Sequence, residues 1–289
     1  MTTVLELVQD ALTDIGFTAP SSLLSTNPDS VQLNSILRNQ SRHLRNQRVI
    51  PTLKHKHSFV TELNRTKYPL PKDFFATIGN THRDQTNRLE LIGPLSDEQF
   101  NLWLYQFETN GAPYGYRIFG VDGNPTTDGG QFELIPAPPA DLTLSYEYIS
   151  KNLFTPPYFN IGEVVAINDY RSANGNIYKA TSAGTTGSDI PDHITGTESD
   201  GTVNWAFIND LYESPLTNND LSVFDDDIMI LGIQWRFLKS KNQDYSTELA
   251  EHNALKEKAV TRWTGSFRSS FDGNHRRVSF NIPRGNWSI

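Results

Sequence analysis

Acidic residues in a row are the first feature of this sequence that could support chemistry. Asp225, Asp226 and Asp227 are consecutive, and carboxylate oxygens are the ligands that Ca²⁺ and Mg²⁺ prefer. The same residues stand immediately before an apolar stripe at helical spacing, where negative charge stabilises the positive end of a helix dipole. We therefore interpret them as the start of a helix and not as a metal site.

Histidines offer two further candidates. His55 and His57 flank Lys56 and would lie on one face of a strand, but a zinc site needs at least a third ligand, which the sequence does not supply. His252 falls within the apolar stripe of a predicted helix near the end of the chain. We expect it to be a hydrogen-bonded histidine of a core or an interface.

Arginines recur every three or four residues along one predicted helix, at Arg38, Arg42, Arg45 and Arg48. One face of this helix is therefore basic. The face is solvated, or it meets an acidic partner subunit, or it lines a channel through which DNA passes. The sequence leaves these alternatives open.

Catalytic motifs are missing from the sequence. It has no Walker loop, GxSxG elbow, HExxH pair or dinucleotide fingerprint. Cysteine is absent, which excludes disulfides, cysteine-bound zinc and a catalytic thiol, and the net charge of -8 argues against general nucleic-acid binding. The longest apolar run, IMILGI, is far shorter than the roughly 20 residues of a membrane span. We expect no enzyme, no cofactor and no membrane partner.

Helix and strand signals divide the chain into elements. Helix starts are marked by Thr3 with Glu6, Asn27 with Pro28, and Ser96 with Gln99. Two long helices are predicted from residue 228 and from about residue 245 to 267. Short strands are predicted near residues 59–60, 68–70 and 89–91 and in YGYRIF, QFELIP and LTLSYEYI.

The stretch from residue 156 to 210 differs in texture from the rest. It is rich in Gly, Thr, Ser and Asp and contains NG, GTTG and DG turns, which predicts a small β module. Tyr170, Tyr178 and Trp205 either form the core of this module or present a platform on which sugar rings stack.

The predicted fold class is therefore α+β. A helical bundle of two N-terminal and two long C-terminal helices, with a small antiparallel β block, forms a core from residues 1–155 and 211–267. The all-β module, residues 156–210, is inserted into this core. Residues 268–289 have no helix signal and form an extended arm.

Two segments resemble known phage proteins. FDDDIMILGIQWRFLKSKNQDYSTELAEHNALKEKAVTRWTGS, with the N-terminal VLELVQDALTDIG helix and the arginine-bearing helix, resembles head-to-tail adaptors of short-tailed bacteriophages, also called tail tubular or head completion proteins. The YKAT, GTTG, PDH and DGTVNW elements are similar to a small module of phage virion proteins that is distantly like chitin-binding modules.

The resemblance implies a structural virion protein of the tail or neck, assembled in the host cytoplasm. About twelve copies would form a closed ring that joins the portal protein to tail nozzle or fibre proteins and extends the DNA channel, with transient DNA contact. Arm residues that would contact the portal are Arg276, Arg277, Phe280 and Trp287. The alternative is a glycan-binding or fibre-attachment tail protein that acts through the module.

Overall fold

The computed structural model of the protein describes residues 2–47, 51–106, 114–120, 130–208 and 212–264. Within these ranges it contains five α-helices and several antiparallel sheets, which confirms the α+β class. The helices are α1 (Val4–Asp14), α2 (Pro28–Asn46), α3 (Asp97–Gln106), α4 (Asp226–Ser240) and α5 (Ser246–Thr264). A short 3₁₀ helix, Pro51–Leu53, leads into the first strand.

The strands divide along the chain into three groups. The first group is β1 (Lys54–Val60), β2 (Lys67–Pro69), β3 (Phe74–Thr77), β4 (Arg83–Asp84), β5 (Leu89–Glu90), β6 (Gly115–Phe119), β7 (Gln131–Ile135) and β8 (Thr143–Ser150). The second is β10 (Val164–Val165), β11 (Tyr170–Ala173), β12 (Asn176–Ala180), β13 (Gly184–Thr185), β14 (Thr197–Asp200) and β15 (Val203–Ile208). The third is the pair β9 (Phe154–Thr155) and β16 (Leu221–Ser222).

Helix starts follow the predicted caps. The hydroxyl of Thr3 accepts a hydrogen bond from the backbone N–H of Glu6, and the Glu6 carboxylate accepts one from the backbone N–H of Thr3, a complete capping box. Asn27 caps α2 ahead of Pro28. The predicted helix starts are confirmed. They could be predicted because a cap depends only on residues that are close in sequence.

Helix α4 lies in contact with α1, α2 and α5. Apolar side chains cover much of its circumference, and Ile228, Met229 and Ile233 are buried in a cluster with Leu7 of α1 and Leu37 of α2. A helix that is apolar on most faces is stable only when other elements surround it. This burial explains why the sequence from residue 228 to 238 is so rich in large apolar residues.

The β block is centred on β8, which pairs with β1 along one edge and with β3 and β4 along the other. A second sheet, in the order β2-β7-β6, contributes to the same core. Between the sheets lie the parallel rings of Tyr116, Phe132 and Tyr146, with the imidazole of His82 stacked among them. The core of this block is therefore largely aromatic.

The second group of strands forms a four-stranded antiparallel sheet in the order β11-β12-β15-β14, beside the two-stranded pair β10-β13. It has an apolar cluster of its own that includes Tyr178, Val203 and Trp205. The strands on either side of this group, β9 and β16, pair with each other. The predicted arm, residues 268–289, lies outside the described residues.

Candidate functional site

Part of the basic face of α2 contacts Glu213, which lies in the segment that follows the module. Arg45 is only 8% exposed, and its Nη1 lies 3.1 Å from Oε1 of Glu213 and 3.4 Å from the carbonyl oxygen of Lys151. Its guanidinium also lies over the ring of Phe75, 4.1 Å from the centroid. Nη2 of Arg42 lies 3.3 Å from the other carboxylate oxygen of Glu213. One acidic residue therefore holds two arginines.

This geometry separates Arg45 from the other arginines of the basic face. Arg45 can be buried because Glu213 balances its charge and the ring of Phe75 packs against one face of its guanidinium. Arg38 and Arg42 are half-buried, and Arg42 shares Glu213 with Arg45. Arg48 lies outside the described residues. The sequence signal missed Glu213 because it is 168 positions from Arg45 along the chain.

A buried polar cluster joins α2, α4 and α5. Nε of Arg236 donates to Oε1 of Gln40 over 2.9 Å, and Nε2 of Gln40 lies 2.8 Å from Nε2 of His252. Because Arg236 fixes the orientation of the amide, Gln40 donates to His252, whose Nε2 must be an unprotonated acceptor. The interpretation of His252 as a buried, hydrogen-bonded histidine is confirmed.

Burial is the main reason that His252 is hard to protonate. It lowers the pKa of His252 to about 4, and the positive charges of Lys256, His43 and Arg236 act in the same direction. The side chain is therefore neutral at physiological pH, consistent with its role as an acceptor. The cluster has the properties of a structural contact.

Gly232 makes the close approach of α2 and α4 possible. A Cβ atom at this position would collide with the side-chain amide of Gln40. Sequence reasoning missed both residues, although a glycine inside an otherwise apolar helix is a signal of close packing.

The three aromatic candidates of the module do not form an exposed platform. Tyr178 and Trp205 are fully buried, the Tyr178 hydroxyl donates to the carbonyl of His193, and the Trp205 ring meets Phe159 edge to face. Neither ring has a free face for a sugar, because both fill the core of a small sheet. Tyr170 is half-buried and contacts Tyr212.

A cleft of about 310 Å³ separates the module from the β block. His55 and Asn152 line one wall, and Tyr158, Asn174 and Asn176 of the module line the other. Its polar groups are mainly uncharged amides and hydroxyls. Such a lining suits a neutral polar ligand and provides no general acid or base beyond His55.

The remaining candidates are structural in geometry. Asp225 occupies the N-cap position of α4, and the Asp226 carboxylate accepts a hydrogen bond from the Thr2 hydroxyl over 2.7 Å. His57 contacts the rings of Phe59 and Tyr146. Across the part of the chain that the structure describes, three or more potential metal ligands are nowhere gathered, and no helix is long and apolar enough to cross a membrane. The arm residues Arg276, Arg277, Phe280 and Trp287 lie outside this part.

Comparison with known proteins connects the chain to a described family. The family model described as SU10 adaptor protein matches residues 2–180, which is more than half of the sequence. The match includes α1, α2, α3 and the β block, and it ends at the last residue of β12 within the module. No curated protein matches the chain.

Proposed function

Because this chain belongs to the SU10 adaptor protein family, a family of structural phage adaptors, we propose that its copies form a ring that joins the portal to the tail of a short-tailed phage. The ring extends the DNA channel below the head. The observation that carries this proposal is the family match over residues 2–180, which spans both N-terminal helices and the whole β block.

A ring subunit needs surfaces for two neighbours and for the proteins above and below it. In this proposal the arm, through Arg276, Arg277, Phe280 and Trp287, contacts the portal, and the opposite end of the ring contacts nozzle or fibre proteins. About twelve copies close the ring, as in the adaptors that the sequence resembles.

The basic face of α2 is assigned a narrower role than its four arginines suggest. Since Glu213 pairs with Arg45 and shares its carboxylate with Arg42, the positive charge for DNA or an acidic partner comes mainly from Arg38 and Arg48, with a smaller share from Arg42. Transient contact with the genome needs only weak, salt-sensitive attraction, which a few arginines repeated around a ring supply.

The test of the ring is assembly on the portal of the same phage. Purified protein is mixed with portal rings and examined by negative-stain electron microscopy and native mass spectrometry. We expect a collar of added mass at one end of the portal, in a fixed stoichiometry.

A variant that ends at residue 267 should keep its fold, measured by circular dichroism, and lose the portal because the arm is gone. A variant in which Phe280 and Trp287 are replaced by alanine tests the same contact without shortening the chain. Unchanged portal binding by both variants contradicts the role of the arm. Failure of the full chain to bind the portal contradicts the adaptor role.

A second candidate function is attachment of a host glycan through the cleft between the module and the β block. Three asparagines in the lining and the half-exposed ring of Tyr158 on one wall favour it. We expect Tyr158→Ala to abolish binding on an array of bacterial polysaccharides, while Ile167→Ala, also exposed but outside the cleft, retains it. Equal binding by both variants would show that the cleft is not the glycan site. If the unaltered protein binds no polysaccharide, the glycan-binding function is wrong.

A further inference from the structure

Strand β1 pairs with another described strand along one of its two edges only. It pairs with β8 from Lys54–Ile149 to Val60–Thr143, and the ladder continues where the N–H of Thr61 donates to the carbonyl of Leu142. Antiparallel hydrogen bonds alternate along a strand. The backbone groups of Lys54, Lys56, Ser58 and Val60 therefore point away from β8. On that side, the described residues provide no strand that pairs with them.

The chemistry of this edge selects what can pair with it. Lys54 and Lys56 are exposed near one end of the edge, while Val60 is 55% and Leu63 68% exposed at the other. Lysines on an edge disfavour the pairing of two identical edges because like charges are brought together. The β1 edge therefore favours a strand that carries acidic residues.

Strand β14 of the module presents such an edge. It pairs only with β15 among the described strands, through a two-residue turn at Gly201 and Thr202 that brings Asp200 opposite Val203. The closing pair of such a hairpin is hydrogen-bonded, so the backbone groups of Thr197 and Ser199 point outward.

Acidic and apolar side chains surround the β14 edge. Asp189, Asp192 and Glu198 are exposed, and Ile190 and Ile194 beside them are 52% and 68% exposed. Glu198 has one neighbour, since its carboxylate lies 3.5 Å from Nδ1 of His193. The other acid of this strand, Asp200, is buried, and its carboxylate accepts hydrogen bonds from the N–H groups of Gly187 and Asp189. The β14 edge thus matches the β1 edge in charge and in the presence of exposed aliphatic residues.

We propose that the β1 edge of one copy pairs with the β14 edge of a second copy. The inference rests on the proposed ring and identifies the contact between its neighbouring subunits. Because the two edges are different surfaces of one chain, each copy offers one of each, and the contact repeats head to tail until it closes. Backbone hydrogen bonds supply attraction, and the opposite charges fix which edges meet.

The absence of cysteine from the chain makes this contact directly measurable. One chain carries Lys56→Cys and another carries Ser199→Cys. The two chains are mixed at high concentration and treated with a short bismaleimide cross-linker, and the treatment is repeated after the mixture has assembled on portal rings. The expected covalent dimer forms only when both variants are present. Its yield should be at least about tenfold higher than the yield when Ser199→Cys is replaced by Thr247→Cys, an exposed position on α5.

Charge exchange provides the second measurement. The variant Lys54→Glu with Lys56→Glu, and the variant Asp192→Lys with Glu198→Lys, should each self-associate about tenfold more weakly, because facing charges then repel. The chain that carries all four changes should recover assembly, a result that a folding defect cannot produce.

The outcomes separate the two proposals. If rings form on the portal but the cross-link stays at the level of the Thr247→Cys control, the β1–β14 contact is wrong and the adaptor role stands. If the protein neither self-associates nor assembles on the portal, both are wrong.

Discussion

At the scale of single residues, the most consequential group is the hydrogen-bonded series from Arg236 through Gln40 to His252. His252 is 1% exposed, and its Nδ1 is buried without a hydrogen-bond partner among the described residues. Protonation of Nε2 would turn it from an acceptor into a second donor facing the Gln40 amide, close to Arg236 and Lys256. The contact between α5 and α2 therefore depends on a neutral imidazole.

A pH dependence of stability follows from this state. The folded pKa of His252 is about 4 and its ordinary value is 6.5, so the unfolded chain takes up the proton first as the pH falls. The contribution of His252 to the free energy of unfolding is complete above pH 6.5 and is lost as the pH falls toward 4, by about 3 kcal/mol. Urea unfolding at a series of pH values measures it.

Other groups titrate in the same range, so the comparison must be with a variant. His82 has the same folded pKa of about 4 and acts in the same direction. His252→Gln should show a smaller loss of stability between pH 6.5 and 4 than the unaltered protein, whatever its absolute stability. His55→Gln controls for the removal of an exposed histidine. Parallel curves for the unaltered protein and His252→Gln would contradict the assignment.

At the scale of elements, the helix ends were predictable and the helix contacts were not. Caps such as Thr3 with Glu6 act within one turn, so sequence shows them directly. The approach of α4 to α2 depends instead on Gly232 facing Gln40, two residues on helices that are far apart in sequence. No local pattern shows which side chain a glycine leaves room for.

The substitution Gly232→Ala tests this contact between helices. Alanine favours an isolated helix by about 1 kcal/mol over glycine, but here the added methyl group collides with Gln40. Overpacking of this kind costs typically 1–3 kcal/mol, so we expect a net loss of about 1 kcal/mol in the free energy of unfolding, measured with urea. Ser35→Ala, at an exposed position of α2, is the control and should not destabilise. A stabilised Gly232→Ala variant would contradict the close packing.

At the scale of the whole molecule, sequence patterns predicted the fold class and the helix starts, and left the surfaces open. The apolar stripe of α4 predicted its burial, because periodicity reports which faces avoid water. The pairing of Arg45 with Glu213 could not be predicted, because the two residues are far apart along the chain. Tyr178 and Trp205 illustrate the same limit, since an aromatic residue in a small sheet serves as core or as platform according to packing alone.

The pairing of β9 with β16 has a consequence for how this protein can change over time. Paired strands lie about 5 Å apart, so the chain between residues 155 and 221 leaves and re-enters the core at nearly one point. The length and content of that segment do not alter the distance between its two ends in the core. Evolution is therefore free to lengthen, shorten or exchange residues 156–208 as the partner they meet changes, provided that Tyr212 and Glu213 keep their contacts with the helical core.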